Sequence, residues 1–402
     1  MKIYRLLLFF LIGGLLNVSA QKKELSLKEA VLNQRNTLAP ERITGLQWIP
    51  ATDTYVFVKD NKLKEVSIKG NKTADLLTLE MLNKSAGLKK NMNRFPYITW
   101  IDQDHFYFRS GNSYVLYNLQ KKTSKTYVFD KKAANNDLEK STFNLAYTVG
   151  NNLFIRRADG SVNQISNEPD KGIVYGQSVH RSEFGITKGT FWSPKGNKLA
   201  FYRKDERMVT DYPLIDMTVR PAKANLIKYP MAGMKSHHVT LGVYDLKNKK
   251  TIYIKTGEPK EQYLTAVSWS PDEKSIFIGI LNRDQNHLKM NQYNAETGDF
   301  VKTLFEERDE QYVEPENELI FVPGSTTQFL WFSNRDNYKQ LYLYETSGKL
   351  IRKVTRGNFD ITAFLGFDKK NNFYVQGATD FALNRQIFKV SLKGKQEQIT
   401  KK

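Results

Sequence analysis

Hydrophobic positions in this chain come in short bursts. From about residue 41 onward, Val, Ile, Tyr and Phe gather in brief runs separated by Gly, Asn, Asp and Lys. This pattern predicts β-strands joined by tight turns. Helical periodicity is scarce. One short helix is predicted over Ser26 to Gln34, with Ser26 as N-cap and Glu29 completing a capping box.

Two stretches say almost the same thing. Trp192-Ser193-Pro194-Lys195-Gly196-Asn197-Lys198-Leu199-Ala200-Phe201-Tyr202 is echoed by Trp269-Ser270-Pro271-Asp272-Glu273-Lys274-Ser275-Ile276-Phe277-Ile278. Each reads as an aromatic-ended strand, a Pro-led turn and a second strand. Weaker copies lie around Trp48, Trp100, Ala146, Phe321 and Gly366, and the steps between successive markers are 52, 46, 46, 77, 52 and 45 residues. A step of about 45 to 50 residues matches one four-stranded propeller blade per unit. A second hairpin closes each unit, as in Leu341 to Tyr344, Glu345-Thr346-Ser347-Gly348, then Leu350-Ile351. The fold class is therefore all-β, a β-propeller with seven visible units, and a pair of unrelated β-sandwiches is the competing reading. The 77-residue step implies an insertion, placed in an irregular stretch between Lys204 and Val239.

Composition sets the address. Lys2 and Arg5, the apolar run Leu6 to Leu16 and Val18-Ser19-Ala20 form a signal peptide over residues 1–20. An N-terminal extension over 21–40 and a propeller over 41–402 follow, and the mature chain is expected to be exported, periplasmic or extracellular, without a membrane segment. Cysteine is absent, which excludes disulfides and cysteine metal sites. The formal charge of +19 raises the question of nucleic acid, but the lysines are scattered through turns along the whole chain. A nucleic-acid groove needs them clustered on one face.

Catalytic chemistry is sparse. There is no Gly-x-Ser-x-Gly elbow, glycine-rich phosphate loop or His-Glu-x-x-His helix. No catalytic residue, metal site or cofactor is expected. Of the five histidines, the adjacent His237 and His238 point to opposite sides of an extended segment and read as surface or loop histidines. One segment breaks the strand pattern: Gly172-Ile173-Val174-Tyr175-Gly176-Gln177-Ser178-Val179-His180-Arg181-Ser182-Glu183-Phe184-Gly185-Ile186. Glu183, among aromatic and apolar neighbours, is either a solvated loop carboxylate or one presented to hold a cation such as a peptide's amino group.

The run from Val174-Tyr175 through Glu183-Phe184 into Phe191-Trp192-Ser193-Pro194 resembles the propeller of the dipeptidyl peptidase IV family. So do Tyr229-Pro230-Met231-Ala232-Gly233, Trp269-Ser270-Pro271-Asp272 and Ser333-Asn334-Arg335-Asp336, and the likeness covers the chain from about residue 40 to the end. The resemblance implies an eight-bladed propeller capping an α/β-hydrolase domain that cuts short peptides after proline. It implies that Glu183 binds the substrate's free N-terminus and that Arg109 is the nearest match to an arginine contacting the substrate backbone. The family's adjacent glutamates are replaced here by Ser182-Glu183 after a longer spacer, which leaves dipeptide and tripeptide release both open. A serine-type hydrolase domain would need about 250 further residues. The chain is thus expected to be the substrate-gating, amine-anchoring propeller of an exported prolyl peptidase, inactive alone and closing its ring imperfectly, with a gap or a patch from Leu25 to Leu38. Its expected partners are peptides with a free N-terminus and nearby proline, a hydrolase domain, and a second copy in a homodimer. A free-standing propeller binding protein or glycan is the alternative, and a remnant without ligand the third reading.

Overall fold

The computed structural model describes residues 24–400. The signal-peptide segment lies outside the described residues. Seven antiparallel sheets follow one another along the chain, six of four strands and one of five, in a seven-blade propeller arrangement not closed by hydrogen bonds. Within the six four-stranded blades the strands are laid down in order, each pairing with its successor, so each is a meander built from hairpins. By compactness the chain divides into two units, one of residues up to 108 with 117–124, the other of 109–116 with everything from 125 on.

In the first unit the opening blade comprises Thr44–Trp48, Thr54–Lys59, Lys62–Ser67 and Thr73–Thr78. It is followed by a helix the strand pattern had hidden, Leu79–Ala86. Thr78 caps it by accepting the Met81 N–H at 3.2 Å, and Gly87 ends it in a left-handed conformation, so the boundary signals were present in a short segment. Ahead of the blade, Ser26 and Glu29 form the predicted capping box, with Ser26 N–H donating to Glu29 at 3.0 Å and Glu29 N–H to Ser26 Oγ at 3.2 Å. The helical turn it starts is short, Glu29–Asn33, and the 24–43 stretch supplies no strand to any sheet. Leu25, Leu27 and Leu38 are exposed.

The second unit shows how the repeated tracts work. Ser193 Oγ accepts the Lys198 N–H at 2.9 Å, and Ser270 Oγ accepts the Ser275 N–H at 2.9 Å, so the serine of each Trp-Ser-Pro clamps the turn between the blade's first two strands. Glu139 and Asp368 do the same work in other blades, taking the backbone N–H groups of Ser141 and Thr142, and of Lys370 and Asn372. The tryptophans face the neighbouring blade. Trp192 Nε1 donates to the Asp137 carbonyl and Trp269 Nε1 to the Phe191 carbonyl, both at 3.0 Å. In these two blades the same bond ties the first strand to the first strand of the blade before it.

Two expectations need correction. In the third blade the first strand is Ala134–Leu138, and Ala146 lies on the second strand, Leu145–Val149. The polar first strand Ala-Asn-Asn-Asp-Leu gave no apolar signal, so the marker slipped by one strand. The long step is no irregular stretch either. Its core is a hairpin, Asp211–Asp216 with Lys223–Lys228, paired at six positions and separate from the blade sheets.

Candidate functional site

The fourth blade has a divided first strand. Ile173–Tyr175 and Thr190–Trp192 both pair with Lys198–Asp205, Tyr175 opposite Arg203 and Thr190 opposite Phe201. Partners two positions apart on one strand are thus joined by the whole excursion 176–189, which carries Glu183. Its neck closes around Tyr202: Gly176 N–H donates to the Tyr202 carbonyl at 2.8 Å, and Tyr202 N–H to the Gly189 carbonyl at 2.9 Å. A Cβ at Gly189 would collide with the Gln177 backbone, so the crossing requires glycine there.

The excursion is anchored by alternate residues. Val179 and Ile186 are buried with Phe191, Tyr202, Leu241 and Leu264. Phe184 packs on Tyr263 at 4.9 Å between ring centroids. Between these anchors His180, Arg181, Ser182 and Phe184 all have positive φ, from 50° to 62°. Non-glycine residues in that region cost on the order of 1–3 kcal/mol each and cluster at functional sites. Glu183 itself is extended and exposed. Among the described residues its carboxylate has no hydrogen-bond or ion-pair partner, and its backbone N–H is held by the His180 carbonyl at 3.1 Å.

Two segments singled out in the sequence meet here. Tyr229, opening Tyr-Pro-Met-Ala-Gly, lies beneath the Arg181 guanidinium at 4.0 Å and packs on Tyr212 of the projecting hairpin at 5.5 Å. The nearest cation in sequence is thereby turned onto a ring face.

The histidines correct the sequence reading, because His180 and His237 are both buried. Their rings stack at 5.0 Å, with His237 Nε2 3.2 Å from His180 Nδ1. Burial, followed by the neighbouring His237, holds His180 well below the usual imidazole range. Burial, then Lys204 and Arg283, pulls His237 down to about 4. Both rings are neutral at pH 7. Sequence inspection missed them because the buried polar pair is made by residues 57 positions apart in the chain.

Arg109 stands near the end of the strand His105–Ser110, exposed, its Nε donating to the Gly111 carbonyl at 3.1 Å and its guanidinium 5.6 Å from the Phe129 ring. No contact joins it to Glu183 among the described residues. On the inner strands a cavity of about 420 Å³ is lined by Asp137, Lys188, Phe191, Trp192, Trp269 and Glu318. Lys188 pairs with Asp137 at 3.2 Å, and desolvation raises the Glu318 carboxyl. None of the five histidines is hydrogen-bonded to a serine hydroxyl among the described residues. The described residues also hold no group of three or more metal-ligating side chains. Among the described residues Glu183 is thus an exposed carboxylate that no cation of the chain pairs with.

Comparison with known proteins places this geometry. The model of the dipeptidyl peptidase IV N-terminal region matches residues 93–402. A crystal structure of a candidate dipeptidyl aminopeptidase IV from Bacteroides ovatus superposes with a TM-score of 0.81 at 37% identity, over 89% of this chain and 53% of that one. Porphyromonas gingivalis dipeptidyl peptidase 4 shares the fold, with a TM-score of 0.76 at 21% identity, over 94% of this chain and 55% of that one. A protein of Pyrenophora tritici-repentis named Probable dipeptidyl-aminopeptidase B is 25% identical over 292 residues, 62% of this chain and 32% of its own length. The chain spans about a third of the length of the curated relatives it matches and about half that of the solved chains. The match over residues 93–402, well over half of the chain, shows that the chain belongs to the dipeptidyl peptidase IV N-terminal region family.

Proposed function

We propose that this chain is the substrate-gating and amine-anchoring propeller of an exported prolyl dipeptidyl or tripeptidyl serine peptidase, working with an α/β-hydrolase domain that performs the chemistry. The observation that carries the reading is Glu183: an exposed carboxylate without a partner among the described residues, on a strained excursion inserted into a blade's first strand. A carboxylate in such a place binds a peptide's α-ammonium through charge-assisted hydrogen bonds and so fixes how many residues precede the scissile bond. The expected substrates are peptides with a free N-terminus and proline near it. Arg109 is the candidate contact to the peptide backbone.

The partnership with a second copy is assigned to the projecting hairpin, which exposes Leu214, Ile215, Met217 and Leu226. Two strands alone are marginal in water, and an apolar cluster on them is a docking surface. No helix among the described residues is long and apolar enough to cross a membrane.

Isothermal titration with an Xaa-Pro peptide, free or N-acetylated, tests the anchoring. The free peptide is expected to bind about tenfold tighter or better, the worth of one charge-assisted bond. Equal affinities would favour the free-standing binding propeller instead.

A further inference from the structure

The excursion that carries Glu183 is fastened at its base by the His180–His237 pair, and the hydrogen bonds of that pair fix where its protons sit. Leu264 N–H donates to His180 Nε2 at 3.2 Å, so that nitrogen carries a lone pair and the His180 proton is on Nδ1. Nδ1–H then points at His237 Nε2, 3.2 Å away, and the same Nε2 also receives the His180 backbone N–H at 3.2 Å. His237 Nε2 is therefore an acceptor for two donors of His180, one from its side chain and one from its backbone. The backbone bond is made by a residue at φ 50°, the first of the left-handed positions that lead to Glu183.

A second proton fits on neither ring. On His180 it would place Nε2–H against the Leu264 N–H, and on His237 it would place Nε2–H against both donors of His180. The cations around the pair all oppose a further positive charge. Lys204 comes from the blade's second strand, ion-paired to Glu206 at 2.6 Å. Arg283 comes from the turn of the next blade, bonded to the Tyr263 hydroxyl. Arg181 and His238 flank the pair along the chain, and Tyr263 meets His180 edge-on at 5.0 Å. The only nearby carboxylate on the same turn is Glu183, which faces solvent.

We propose that the neutral His180–His237 pair is the positioning device of Glu183, holding the left-handed turn 180–184 at the rim, and that a proton taken up by the pair releases the turn. The inference deepens the amine-anchoring reading and rests on it for its functional meaning. Neither histidine touches the substrate in this scheme, so both are positioning residues.

The test is amide hydrogen exchange of the full chain, corrected for intrinsic rates, across pH 4 to 7, alongside titration with a free-amine Xaa-Pro peptide. In the wild type, exchange within 178–186 is expected to accelerate as the pH falls toward 4 while the blade strands stay protected. His237→Leu removes the acceptor and is expected to give the same local acceleration at pH 7, with peptide affinity down about tenfold. His237→Gln offers an acceptor oxygen at equal reach that does not titrate, and should restore both protection and affinity and carry them to lower pH. If His237→Leu fails to fold, the wild-type pH series and His237→Gln decide the matter. A wild-type segment with no local acceleration, or a folded His237→Leu with unchanged exchange, overturns the proposal. Absent peptide binding with the expected exchange pattern would contradict the amine-anchoring reading alone.

Discussion

A carboxylate that is to bind an amine has to be kept from pairing inside its own protein. Next to Glu183, Arg181 lies on the Tyr229 ring, and around the histidine pair Arg283 is bonded to the Tyr263 hydroxyl and Lys204 to Glu206. The neutral histidine pair beneath adds a pH dependence whose sign follows from its depressed pKa. His237 titrates near 4 when folded and near 6.5 when unfolded, so between these values the unfolded chain binds more protons. Stability is retained above about pH 6.5 and falls as the pH drops toward 4, by on the order of 3 kcal/mol from this residue. Urea unfolding at pH 7, 5.5 and 4.5 should show the loss, and His237→Gln should flatten it. A slope identical in the two proteins would contradict the burial argument. At this scale the sequence made Glu183 visible because it interrupts a strand pattern. It could not show the histidine pair, which depends on a crossing of segments 57 residues apart.

The elements were legible wherever two strands and a turn carried strong apolar and turn signals. Trp192 and Trp269 mark first strands of successive blades, and their indole bonds to the preceding first strand explain why the tract repeats. Trp269→Phe keeps most of the ring volume and removes the indole bond to the Phe191 carbonyl, which keeps its ladder partner Ala200. It is expected to destabilise the chain by about 0.5–1.5 kcal/mol, read as a lower denaturant midpoint with an unchanged slope. Trp269→Phe with an unaltered midpoint would mean that the indole bond does not tie the blades. Legibility ended where an element was polar or short. Ala134–Leu138 has the sequence of a loop and becomes a strand because Leu145–Val149 pairs with it. The hairpin Asp211–Asp216 with Lys223–Lys228 escaped notice because its strands cover no core and so lack the burial alternation that marks the blades.

For the whole molecule, the blade count and the architecture were legible in the repeat length, since each blade presents two apolar faces that only its neighbours can cover. The seven sheets and the family match over 93–402 agree with that reading. The assembly prediction belongs here as well. If the exposed hairpin joins two copies, sedimentation should show a dimer that Leu214→Asp with Leu226→Asp converts to a monomer with unchanged circular dichroism, and a wild-type monomer at micromolar concentration would remove the homodimer from the account. The central claim is that Glu183 holds a peptide's α-ammonium, and calorimetric titration of wild type and Glu183→Gln with one free-amine Xaa-Pro peptide tests it most directly. The account predicts affinity at least about tenfold weaker in Glu183→Gln, with the N-acetylated peptide bound equally poorly by both proteins. Unchanged affinity for the free-amine peptide in Glu183→Gln would contradict it.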